Sequence, residues 1–176
     1  DILREKDYKT YHMLSALLDA SVDELEVLIS LGLGEKDIIA KVTFDERPSV
    51  ANNQKRAFMQ QVESFVTTVK GSPYTDISGG ILQAIEYLNE AESGKRYILI
   101  FSDLKEELAK GYKRDIPFQV PDYNVIALNV TKLRGDNIDP KEYLARVKDW
   151  RSKVEKGGGE WGMINDLERL DNIFAN

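Results

Sequence analysis

The chain has 176 residues, a formal net charge of −6, no cysteine and one histidine. The lack of cysteine excludes disulfides, thiolate metal sites and a cysteine nucleophile, and the lone His12 argues against a histidine triad or a zinc centre. The acidic balance argues against a nucleic-acid partner, because lysines and arginines sit beside acids and no face is basic enough to neutralise phosphates.

The length suits one domain, residues 1–176, with a core of its own. No apolar run approaches the length of a membrane span, so a soluble chain is expected. The first residue is Asp1 rather than Met, which predicts an end cut by processing or design. The compartment is not readable from these features.

In chain order, "REKDYKTYHMLSALLDA" sets Tyr8, Tyr11, Leu14, Leu18 and Val22 at helical spacing, with His12 on the helix surface. "SVDELEVLISLGLG" opens with Ser21 and Glu24 in the spacing of a capping box and ends in glycine, predicting a helix or the continuation of the first one. "DIIAKVTF" (residues 37–44) is rich in β-branched residues and predicts a strand, and Pro48 predicts a turn. "NNQKRAFMQQVESFVTTVKG" aligns Phe58, Val62, Phe65, Val66 and Val69 on one helical face, ended by Gly71.

"TDISGGILQAIEYLNEAESG" aligns Ile77, Ile81, Ile85 and Leu88, a second helix ended by Gly94. "RYILIF" and "YNVIALNV" (residues 123–130) are continuous apolar runs of strand length, as expected where a strand is buried on both faces. In "DPKEYLARVKDWRSKVEKGGG", Asp139 caps a helix, Pro140 takes its first position and Gly157 ends it. The tail "GMINDLERLDNIF" predicts a final short helix. Strands alternating with helices predict an α/β fold in three layers, a mainly parallel sheet with helices on both faces.

In such sheets ligands gather at the carboxyl ends of the strands. Asp103 follows "RYILIF" there and Asp45 follows "DIIAKVTF". A carboxylate directly after a buried strand suits a hard cation or a polar ligand; equally, Ser102 and Asp103 with Glu106 and Glu107 fit the start of a helix at "LKEEL". Thr75 and Asp76 have the same two readings. They cap the next helix, with Gly79 and Gly80 permitting close helix–sheet packing, or they contribute to a site. "SGG" lacks the lysine and the spacing of a phosphate loop.

The order "VTFDERP", helix, "TDISGGILQAI", "YILIFSDLKEE" resembles the von Willebrand factor A-type domain, over roughly residues 37–130. That resemblance implies a Rossmann-like sheet and a metal-ion-dependent adhesion site holding magnesium, with the family's threonine at Thr75 and its later aspartate at Asp103. The family's first loop, D-x-S-x-S, has no full copy. Its nearest match is "LLDASVD", giving Asp19, Ser21 and Asp23, which requires "MLSALL" to be the central strand. Met, Leu and Ala favour helix instead, so the preferred placement makes this segment the first helix and leaves the first strand upstream of Asp1. A central slot left open that way would need another chain, a swapped copy or a rearranged sheet to fill it.

The resemblance implies a module for protein–protein contact, with magnesium as its cofactor at a partial site. The other readings are an α/β enzyme using Asp103 in metal-assisted hydrolysis or phosphoryl transfer, and a relic with a dead metal site.

Overall fold

The computed structural model describes residues 28–30, 47–68, 74–90, 96–114, 117–166 and residue 173. The expected first helix around His12, the expected strand at 37–44, and Asp19, Ser21, Asp23 and Asp45 lie outside the described residues. Within them the elements run β1 (Leu28–Ser30), α1 (Pro48–Thr68), α2 (Ile77–Glu90), β2 (Arg96–Phe101), β3 (Tyr123–Leu128), a 3-10 turn (Gly135–Asn137), α3 (Pro140–Lys156) and β4 (Glu160–Ile164). The four strands form one parallel sheet in the order β1-β2-β3-β4. This is a mixed α/β fold.

The two central strands are the two apolar runs, Arg96 pairing with Tyr123 and Phe101 with Leu128. A strand between two neighbours is covered on both faces, so its side chains are apolar without alternation. Ile98, Ile100, Tyr123, Val125 and Ala127 join one core cluster with Ile77, Ile81, Ala84, Ile85 and Leu88 of α2 and with Trp150 and Val154 of α3. The alternate residues of the same strands, Tyr97, Leu99, Ile126 and Leu128, are buried as well.

Both helices that cover this core begin with a side-chain cap. Asp139 accepts a hydrogen bond from the Lys141 N–H at 3.0 Å, with Pro140 at the first helical position. Asp76 accepts one from the Gly79 N–H at 2.7 Å. Each satisfies an N–H that the helix itself leaves without a partner.

Four expectations are corrected. Leu28–Ser30, placed in a capped helix, is a strand, aligned with Ile98–Ile100 of β2; the free edge of β2 outweighs a local capping signal. Gly162–Ile164, placed in a terminal helix, belongs to β4 and pairs with Ile126–Leu128. Pro48 opens α1 rather than marking a separate turn, since its fixed φ and missing N–H suit a first helical turn. "LKEEL" forms no helix: residues 104–109 are an irregular loop, turned at its start by Leu104 in the left-handed region, φ 64°.

Candidate functional site

Strand direction defines one rim, where β2 runs out into Ser102 and Asp103, β3 into Asn129 and β4 into Asn165. The amino-terminus of α2 lies at the same rim, because Thr75 and Glu107 exchange backbone hydrogen bonds of 2.8 and 2.9 Å as an antiparallel bridge. Thr75 and Asp103 are thus on adjoining loops, and the residue directly opposite Thr75 is Glu107.

The Asp103 turn is built from local bonds. The Ser102 hydroxyl accepts from the Leu104 N–H at 3.1 Å, and Asp103 Oδ1 accepts from the Lys105 N–H at 2.9 Å. A left-handed leucine is unfavourable for a side-chain-bearing residue. Here it is held by burial of its side chain and by the Trp150 indole, which donates to the Leu104 carbonyl at 3.0 Å.

At the mouth of α2 the chain supplies its own anions. Besides Asp76 on Gly79, Glu106 Oε1 accepts from the Ser78 N–H at 2.6 Å. Carboxylates there are favoured by the positive end of the helix dipole as well as by the orphan donors. Asp76 is in turn gripped by Arg114, Nη2 to Oδ2 at 2.6 Å and Nε to Oδ2 at 3.0 Å, and this bond raises the Arg114 pKa. Gly79 leaves room for this cap, since a Cβ on it would sit 2.5 Å from Asp76 Oδ2 and push the carboxylate aside.

A second cluster follows β3. Asp136 is buried and paired with Arg146, Oδ1 to Nη1 at 2.8 Å and Oδ2 to Nη2 at 2.6 Å, and Oδ2 accepts from the Leu133 N–H at 2.6 Å. The guanidinium first, and the Leu133 N–H after it, hold the Asp136 carboxyl below its ordinary value against the opposing effect of burial. The Asp136 hydrogen bond raises Arg146 in return, with Asp103 adding a smaller electrostatic contribution in the same direction. The guanidinium carbon lies 5.9 Å from the Tyr143 ring centre, and Nε is buried with no hydrogen-bond partner among the described residues.

Sequence reasoning missed Asp136, Arg146 and Arg114, and read Glu106 only as part of a helix start at "LKEEL". Asp136 carried the signal that singled out Asp103, a carboxylate soon after a buried apolar strand. Arg114 and Glu106 carried none, because their partners are 38 and 28 residues away.

A magnesium ion prefers six oxygen ligands in near-octahedral geometry and keeps several waters. Thr75 and Asp103 could contribute a hydroxyl and the carboxylate oxygen not bonded to Lys105. Among the described residues no three His, Cys, Asp or Glu side chains are grouped to hold a metal ion. Of the expected ligands, only Thr75 and Asp103 lie among the described residues. Among them also, no helix is long and apolar enough to cross a membrane. Compared with protein-family models, curated proteins and solved structures, the chain matches none.

Proposed function

We propose that the chain is a protein-binding module of von Willebrand factor A-like, three-layer architecture, and that it meets its partner with the carboxyl-end rim of the sheet. The observation that carries this is where the large apolar side chains are exposed. Tyr74 at 50 %, Tyr112 at 73 %, Ile138 at 89 % and Leu144 at 62 % are the most exposed of them among the described residues. Tyr74 immediately precedes the Thr75 bridge, Tyr112 lies on the loop leaving β2, and Ile138 and Leu144 flank the start of α3. Exposed apolar groups gathered at one end of a molecule, with tyrosines among them, suit a protein interface.

The architecture is supported by the burial of both faces of β2 and β3, which asks for cover on each side. The chemistry of the rim supports binding over turnover. Asp76, Glu106 and Asp136 are each committed to an internal partner that fixes the backbone or a helix end. Contact is made through side chains directly. A cation at Thr75 and Asp103 would need the further oxygens of Asp19, Ser21 and Asp23.

A photo-crosslinking residue placed singly at Tyr74, Tyr112, Ile138 and Leu144, and as controls at Glu90 and Glu155 near the opposite end, tests the reading in extract of the native host. Protein adducts are expected from the rim positions and not from the controls. Adducts of equal yield from both ends would overturn it.

A further inference from the structure

The loop leaving β2 carries a feature that the proposed binding function does not by itself explain. Residues 108–114 read "LAKGYKR", seven positions with three cations and no acid in a chain of net charge −6. Lys110, Gly111, Tyr112, Lys113 and Arg114 are all exposed. The Tyr112 N–H donates to the Ala109 carbonyl at 3.0 Å, closing a tight turn. Gly111 takes φ +92° in that turn, which a glycine adopts without strain. A Cβ there would meet nothing within 4 Å, so the turn stands clear of the body.

The turn is fixed at both ends. Before it, Glu107 is bridged to Thr75. After it, Arg114 is clamped on Asp76, the cap of α2. Three described acids of the neighbourhood are also committed: Glu107 to Lys105 at 2.7 Å, Asp76 to Arg114, Glu106 to the Ser78 N–H. Among the described residues no carboxylate pairs with Lys110 or Lys113. Two ammonium groups with no carboxylate partner among the described residues therefore flank an exposed tyrosine on the turn. Preformed geometry lowers the ordering cost of binding, opposite charge steers the encounter and fixes register, and tyrosine suits a contact centre.

We infer that this turn is a docking point for an acidic peptide segment of the partner, its carboxylates on Lys110 and Lys113 and an apolar side chain against the Tyr112 ring. The inference rests on the protein-binding reading of the rim and names the chemistry of the partner there. Its charge complementarity is local, since the chain as a whole repels acidic ligands.

The test uses the full chain and a short labelled peptide of alternating Glu and Phe, with its Gln-for-Glu counterpart, followed by fluorescence anisotropy. The Glu peptide is expected to bind the wild type, and Lys110→Glu with Lys113→Glu to weaken it at least about tenfold. Tyr112→Ala should weaken it too, and rising salt should do the same. Far-UV circular dichroism checks that each variant is folded, which exposed positions on a loop should permit. Failure of the wild type to bind the Glu peptide, equal binding of the Gln peptide, or indifference to the charge reversal would each overturn the inference. So would capture of phosphatidylserine vesicles by the turn in place of the peptide. The crosslinking experiment separates the two levels: adducts that survive Lys110→Glu with Lys113→Glu but vanish with Ile138→Ser and Leu144→Ser would sink the acidic-peptide docking point and leave the rim standing.

Discussion

Replacing Gly79 by alanine sets two known effects against each other at the mouth of α2. Alanine in place of a helical glycine ordinarily stabilises by about 0.5–1 kcal/mol, because glycine loses more backbone freedom on folding. Here the new Cβ would fall 2.5 Å from Asp76 Oδ2 and 2.8 Å from Oδ1, well inside contact distance. The carboxylate must swing away, and it takes with it the 2.7 Å bond to the Gly79 N–H. Loss of such a cap costs about 0.5–2 kcal/mol. The Arg114 contact also shifts, but both partners are substantially exposed and such pairs contribute little. The substitution should therefore lose its ordinary gain in the wild type and recover it when Asp76→Ala has already removed the carboxylate. Urea unfolding of the wild type, both single variants and the double variant measures this as a coupling of about 0.5–2 kcal/mol, read as midpoint shifts at constant slope. If Gly79→Ala stabilises both backgrounds equally, Asp76 is not the cap and the geometry at the mouth of α2 is wrong.

Leu88→Ala removes a side chain with no exposed surface at the centre of the core, and should cost about 2–5 kcal/mol in the same assay. Trp150→Phe keeps most of the ring volume but withdraws the donor from the buried Leu104 carbonyl; a loss of about 1–3 kcal/mol is expected, with amide exchange at Leu104 and Lys105 rising more than at β3, and an unchanged exchange pattern would argue against the indole as the holder of that turn. Asp136 is held below its ordinary value in the folded chain, so its contribution is complete above the unfolded carboxylate range and is lost as pH falls through the folded value; the wild type should lose stability below about pH 4, and Asp136→Asn should flatten that part of the curve. Titrating magnesium into the wild type and Asp103→Ala, followed by melting temperature, should give matching traces if contact at the rim is metal-independent. A rise confined to the wild type would restore the cation reading and draw in Asp19, Ser21 and Asp23, because a ligand that binds only the folded chain raises its apparent stability.

The central part of the fold could be read in the sequence because its signals are local. β2 and β3 are continuous apolar runs of strand length. Ile77, Ile81, Ile85 and Leu88 recur at the helical period, and all four are buried. Asp139, Pro140 and Gly157 mark the ends of α3, where the structure has them. The edges of the sheet were not readable. Leu28–Ser30 is three residues long and Glu160–Ile164 is mixed in polarity, so neither holds a strand pattern that would outweigh nearby capping or helix-forming residues. What makes them strands is the free backbone edge of β2 and of β3, which offers donors and acceptors that must be satisfied.

The rim divides in the same way. The sequence could mark Asp76 as a helix cap and Asp103 as a carboxylate at a strand end, since both follow from neighbours in the chain. It could not place Glu106 on the Ser78 N–H, Arg114 on Asp76, or the Trp150 indole on the Leu104 carbonyl, contacts spanning 28, 38 and 46 residues. Those pairings exist only once the strands have set the loops side by side. They determine which charges at the rim are paired internally among the described residues.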